Sequence, residues 1–203
     1  MNSKSSTSTV IGPIRVAYQQ LLTPQAQNGS GEKKFSLTMH IPKSNPLLKQ
    51  SIEAAIEAAT QEGLQSKWNG AAPPNPVIPI YDGDGLRPNG EKFSAECRGN
   101  YVMTASSKSK PEVVDIALQP IINESEIYNG MYAYVSINFF AYSRSGKKGI
   151  GCGLNSVMKY QDGEPLGGKI TAAKAFGPVL RQIAEQNPGN LPFTPDPPTS
   201  VAV

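Results

Sequence analysis

The chain has 203 residues, enough for one domain with tails and a sizeable core, and its Gly 19 and Pro 18 point to many turns. A net charge of +3 permits a nucleic-acid partner without demanding one, so any basic site has to come from local clustering. Two cysteines, one histidine and no CxxC spacing exclude the usual zinc patterns, and reduced thiols are the expectation for Cys97 and Cys152.

Met1–Thr9 is Ser/Thr-rich and reads as a disordered N-terminus without the apolar segment of a signal peptide. Val10–Leu22 reads as a strand, with Ile14, Val16 and Tyr18 on one face and Arg15, Ala17 and Gln19 on the other. Thr23–Gly31 is a loop. Lys33–Ile41 alternates cleanly: Phe35, Leu37, Met39 and Ile41 point one way, Lys34, Ser36, Thr38 and His40 the other. Asn45–Lys67 is a helix, with Leu48, Ile52, Ala55, Ile56, Ala59 and Leu64 as its apolar stripe, a cap at Ser44 or Asn45, and Pro46 in the first turn.

Asn69–Pro79 is irregular, and Tyr81–Gly90 (YDGDGLRPNG) reads as a loop. Strands follow at Gly99–Ser106 and Glu112–Leu118, joined by the basic turn Ser107–Pro111. Met131–Tyr142 and Ile150–Tyr160 form a hairpin across a cationic loop, Ser143–Gly149. A short helix is expected around Thr171–Gln186, interrupted by Gly177-Pro178, and the Pro-rich tail 187–203 reads as unstructured. Together these elements describe a mainly β chain, a small antiparallel barrel with an inserted long helix and a short C-terminal helix.

Met131–Tyr142 is the most informative stretch. Its odd positions form an apolar core face. Its even positions, Tyr132, Tyr134, Ser136, Asn138, Phe140 and Tyr142, mix aromatic and polar groups. Such a face suits the stacking of unpaired bases; packing beneath the helix is the competing reading. Tyr132, Tyr134, Phe140 and Tyr142 are the main stacking candidates, with Tyr101 and Tyr81 as weaker ones. Basic residues cluster at strand ends: Lys33 and Lys34, Lys108 and Lys110, Arg144, Lys147 and Lys148, and Lys159. Their flexible cations can follow phosphates without reading sequence. Gly149–Gly153 (GIGCG) carries Gly at alternate positions, for close approach or barrel curvature.

Asp82, Asp84, Glu91 and Glu96 are the acidic grouping with a candidate metal reading. They miss the calcium-loop spacing, and a Gly/Pro-rich segment gives a two-metal nuclease no rigid frame. His40 has no nucleophile partner in view and reads as a surface histidine. No catalytic residue, metal site or cofactor is expected.

The ordered segments KKFSLTMHIPK (33–43), SIEAAIEAA (51–59), IYDGDG (80–85), GNYVMTASSKSKPEVVD (99–115) and 127–168, with its aromatic strand, basic loop and GIG return, resemble the single-stranded DNA-binding proteins of tailed bacteriophages that have an OB-fold core. The resemblance covers roughly Val10–Phe176. It implies an OB-fold domain at 10–186 that coats unpaired DNA independently of sequence, in phage replication or recombination and without catalysis. It also implies the cytoplasm of the infected bacterium as the place of action and replication or recombination proteins as further partners. Many such proteins end in an acidic tail; here the tail carries only Asp196 among its last residues and ends in VAV, so that role is not carried over. A metal-dependent nuclease and a structural virion or assembly protein are the alternatives. Nothing in the sequence decides RNA against DNA, the oligomeric state or the site size.

Overall fold

A computed structural model describes residues 6–26, 31–144, 146–167 and 172–186. The chain divides into two compact units, Met1–Gly167 and Gly168–Val203. The first contains β1 (Ser8–Ala26), β2 (Lys33–Pro42), α1 (Pro46–Ser66), β3 (Ile80–Asp82), β4 (Asn100–Ser107), β5 (Glu112–Val114), β6 (Tyr132–Arg144) and β7 (Lys147–Gln161). The sheet runs β3-β4-β2-β1-β6-β7-β5, and a further pairing joins β4 with β7, the strands next to its two ends. Five strands therefore close on themselves in the order β1-β2-β4-β7-β6. All their contacts are antiparallel except the closing one, a parallel pairing of Ser106 with Gly153. This is the OB-fold barrel, and closure removes the exposed edges that open sheets must protect.

Period-two alternation builds the core. Phe35, Leu37, Met39 and Ile41 of β2 and Ala133, Val135, Ile137 and Phe139 of β6 all point inward and are buried. Helix α1 begins with Pro46 at its first position, although the Asn45 side chain makes no cap bond. It buries Leu48, Ile52, Ala55, Ala58, Ala59 and Gly63, packing against β1 and β6. Ile56 and Leu64, expected in the stripe, are only partly buried. Gly63 comes so close to Ala141 of β6 that a side chain there would collide with the Ala141 Cβ. Just past the helix end Asn69 lies in the left-handed region, with Gly70 donating to the Leu64 carbonyl at 2.7 Å. Trp68, fully buried, donates from Nε1 to the Tyr142 carbonyl at 3.1 Å and ties the helix end to the upper part of β6.

Several expectations are corrected. β1 starts at Ser8, where Ser8 and Thr9 already pair with Asn138 and Ile137, and it runs on to Ala26 through the expected loop. A bulge between Ala17 and Gln20 inverts its alternation. Ala17 and Leu21 are therefore core, while Tyr18, at φ 45°, is 57% exposed. Ile80–Asp82, read as loop from Tyr81 on, is a strand on the edge of β4. Residues 115–118 form a turn after the short β5. The cationic loop is nearly absent: β6 reaches Arg144 and β7 begins at Lys147, paired with it. His40 is 1% exposed, not a surface residue, because the 3₁₀ turn Ala95–Cys97 covers it.

The second unit contains α2 (Ala172–Gln186), which continues through Pro178 instead of breaking there. Phe176, Val179, Leu180 and Ile183 lie exposed along it. Of the expected disordered N-terminus 1–9, residues 1–5 lie outside the described residues, as does the whole tail 187–203. Among the described residues no helix is long and apolar enough to cross a membrane.

Candidate nucleic-acid interface

The outward faces of β2 and β4 form the floor of an open groove. Their cross-strand pairs there are Ser36 with Ser106 and Thr38 with Thr104, the two threonine hydroxyls 2.9 Å apart. The far end of this floor is closed where His40 and Val102 pair beneath the 3₁₀ turn. One wall comes from β6 and β7, with Phe140, Tyr142, Arg144 and Gly151. The bulge of β1 contributes Tyr18 and Gln20, the stretch leading into β3 contributes Val77 and Pro79, and β3 itself contributes Tyr81. The groove has a volume of about 880 Å³.

Glycine spacing explains how the wall is assembled. Tyr142, Phe140 and Asn138 of β6 stand directly opposite Gly149, Gly151 and Gly153 of β7. The missing side chains leave room for the large β6 groups to lie across the neighbouring strand. Gly149 also admits the Val77 segment, whose carbonyl accepts from Ile150 at 2.8 Å. Tyr18 is held in its unusual backbone conformation by its neighbour. The Gln19 amide N–H donates to Asn129 at 2.8 Å, and its side chain donates to the Ile127 carbonyl at 3.2 Å. A left-handed tyrosine is costly backbone, and such residues concentrate where a side chain has to be aimed.

Of the predicted residues, Tyr81, Phe140, Tyr142, Lys34 and Arg144 line this groove. Phe140 is 48% exposed, and burial raises the Tyr81 phenol above its ordinary pKa. Lys33 sits exposed beside Lys34 at the start of β2. Lys108 and Lys110 lie in the turn after β4, where Glu32 links Lys108 at 2.6 Å and Lys34 at 3.5 Å. The Lys108 hydrogen bond, the largest influence, holds the Glu32 carboxyl below its usual range. Lys147 and Lys148 are exposed at the β6–β7 turn, Lys148 beside a separate recess containing Trp68 and Pro73.

Other candidates lie elsewhere. Tyr134 packs edge-on against Tyr160 at 5.6 Å and closely over Gly12; Tyr132 packs against Gly163. Tyr101 faces two cations, the Nζ atoms of Lys43 and Lys49, each 5.3 Å from its ring centre. Lys159 has a side chain only 12% exposed and bonds Asp162 at 2.8 Å, with Glu126 at 3.6 Å. Burial pulls its pKa down, but these carboxylates outweigh it and the net shift is upward. Sequence reading missed Tyr18, Gln20 and the hydroxyl floor; only Ser36 and Thr38 carried a signal, through their shared face with Lys34.

The acidic grouping is occupied by the protein itself. Lys43 Nζ bridges Asp82 at 2.5 Å and Asp84 at 2.7 Å. This hydrogen bonding lowers both carboxyl pKa values and raises that of Lys43 to about 12. Glu91 accepts from Asn89 at 2.9 Å. Among the described residues no group of three or more His, Cys, Asp or Glu side chains is placed to hold a metal. Both cysteines are unpaired and buried; burial pushes the Cys152 thiol up to about 12. His40 Nε2 lies 3.6 Å from the Cys97 sulfur, while its Nδ1 is buried without a hydrogen-bond partner among the described residues.

The chain is similar to protein p50 of Acyrthosiphon pisum secondary endosymbiont phage 1, at 28% identity over 80% of this chain and 89% of that protein. In structure it is similar to the single-stranded DNA-binding protein from bacteriophage Enc34 in complex with ssDNA. That match has a TM-score of 0.68 and 26% identity, over 82% of this chain and 96% of the other. It also shares a fold with gp2.5, a single-stranded DNA-binding protein encoded by bacteriophage T7. There the TM-score is 0.53 at 14% identity, over 82% of this chain and 98% of that one. The family described as Enterobacter phage Enc34, ssDNA-binding protein, matches residues 7–188, and the chain belongs to it.

Proposed function

We propose that this protein binds single-stranded DNA without sequence preference, laying the strand along the groove of its OB-fold barrel. The observation that carries the reading is the meeting of Phe140, Tyr142 and Tyr81 with Lys34 and Arg144 around one open groove. Bases stack on the rings, and the cations meet phosphates at the rim. The hydroxyls of Ser36, Thr38, Thr104 and Ser106 offer hydrogen bonds that every base or phosphate can accept. Lys33, Lys108, Lys110, Lys147 and Lys148 extend the positive rim. Tyr132, Tyr134, Tyr101 and Lys159, which pack within the protein, are not part of this narrowed site. Membership in the Enc34 family supports the reading, since the Enc34 protein was solved with ssDNA.

The protein coats unpaired DNA during phage replication or recombination, in the cytoplasm of the infected host, and performs no catalysis. Its acidic side chains serve the fold: Lys43 neutralises Asp82 and Asp84. Titrating labelled single-stranded and duplex oligonucleotides at several salt concentrations tests the binding. Preference for the single strand, weakening with salt, is expected. Equal affinity for duplex would overturn it. Incubating labelled DNA with Mg²⁺ or Mn²⁺ tests the absence of catalysis; the strand should stay intact.

A further inference from the structure

Beside the groove lies a second recess of about 440 Å³, lined by Tyr81, Arg87, Pro88, Asn89, Phe93, Val102 and Thr104. Tyr81 and Thr104 line both cavities, so the two lie side by side. Its outer wall is a small hairpin. Leu86 pairs with Lys92, Arg87 N–H donates to the Glu91 carbonyl at 2.8 Å, and Gly90 turns the chain at φ 84°. Asn89 braces the turn from both sides of its amide: Nδ2 donates to Glu91 at 2.9 Å and Oδ1 accepts from the Glu91 N–H at 3.2 Å. The hairpin base is pinned by Lys43 on Asp82 and Asp84, and Gly83 lies tight against the Cys97 and Asn100 carbonyls.

Inside, the rings of Tyr81 and Phe93 stand 6.5 Å apart at 41°, and the Arg87 guanidinium lies over the Phe93 ring at 5.2 Å. Aromatic rings and guanidinium planes are the surfaces on which splayed-out bases stack. The volume falls within the range of small-molecule sites. The Asn89 amide makes two bonds within the hairpin, and the Thr104 hydroxyl meets Thr38.

We propose that this recess takes one unpaired nucleobase, turned aside from the strand in the groove and stacked against Phe93 and Tyr81. The inference rests on the single-strand binding proposed above. It adds a source of discrimination: a base held in a duplex cannot turn into the recess, so Phe93 favours single strands while leaving duplex contacts untouched. Stacking itself accepts any base, because every base has a π-face.

The test uses the full chain and a labelled oligothymidine, with a duplex of equal length alongside. Phe93→Ala should weaken single-strand binding by about 5- to 150-fold, the loss of one stacked base, with duplex affinity unchanged. Phe93→Tyr should restore it. An oligothymidine carrying 4-thiothymidine should crosslink to Tyr81 or the 86–93 hairpin. If Phe93→Ala melts the barrel, Arg87→Ala on the hairpin replaces it, with a loss again expected. Unchanged binding by the folded variant, with Phe140→Ala weakened, overturns the recess and leaves the groove standing. Absence of any crosslink to 81–93 overturns it equally. Failure of the unaltered protein to bind the single strand overturns the groove reading itself.

Discussion

The Phe140 ring lies across Gly151 so closely that a Cβ at 151 would sit 2.6 Å from the ring's Cζ. The two residues are direct partners in the β6–β7 ladder, and both line the groove. The glycine thus sets where the ring can rest. Gly151→Ala should push Phe140 off its place and weaken single-strand binding nearly as much as Phe140→Ala. The expected loss is of the order of one stacked base, ~1–3 kcal/mol, measured by oligonucleotide titration of variants whose circular dichroism is unchanged.

Phe140 and Tyr134 share one strand face but should behave oppositely. Phe140→Ala should cost affinity and little stability, because the ring is half in solvent. Tyr134→Ala breaks the edge-on pair with Tyr160 and should cost at least ~0.5–1.5 kcal/mol of stability, with affinity of the folded protein preserved. Urea unfolding beside binding titration separates the two. A Tyr134 variant that is stable but binds poorly would return this ring to the interface.

Charge variants should divide in the same way. Arg144→Gln and Lys34→Gln should each flatten the plot of log affinity against log salt by about 0.7, one phosphate contact on a single strand. Lys159→Gln should leave that slope alone, because its cation is already held by Asp162 and Glu126. It should instead lower the melting temperature.

Burial depresses the pKa of His40 below its ordinary 6.5; Arg15 lowers it further and Glu96 partly opposes both. The unfolded chain therefore takes up a proton here at a higher pH than the folded one. Stability from this group is fully present above pH 6.5 and falls as the pH drops from there through the lower folded value. Urea midpoints between pH 8 and pH 5 should decline on the acid side, and His40→Gln should flatten that decline.

Much of this was legible in the sequence because strand alternation is local. The inward set Phe35, Leu37, Met39, Ile41 and the outward set Lys34, Ser36, Thr38 follow from period two alone, and the structure keeps both. Helix α1 was legible from its apolar stripe and Pro46. Tyr18 was not, since one bulge residue reverses every later side chain and composition does not mark it. His40 followed the alternation, yet the turn that buries it comes from residues 95–97, far along the chain.

By itself, then, the sequence determined that β6 has an apolar face and an aromatic–polar face, and that glycines alternate in β7. Only the tertiary structure decided what each part of that second face meets. Near Arg144, Phe140 and Tyr142 look across an open groove towards β2 and β4; lower down, Tyr134 meets Tyr160 and Gly12, and Tyr132 meets Gly163. The difference arises from barrel closure, a pairing of Ser106 with Gly153 that joins distant parts of the chain. Alternation tells a side chain which way to point, but long-range pairing alone supplies what lies in that direction.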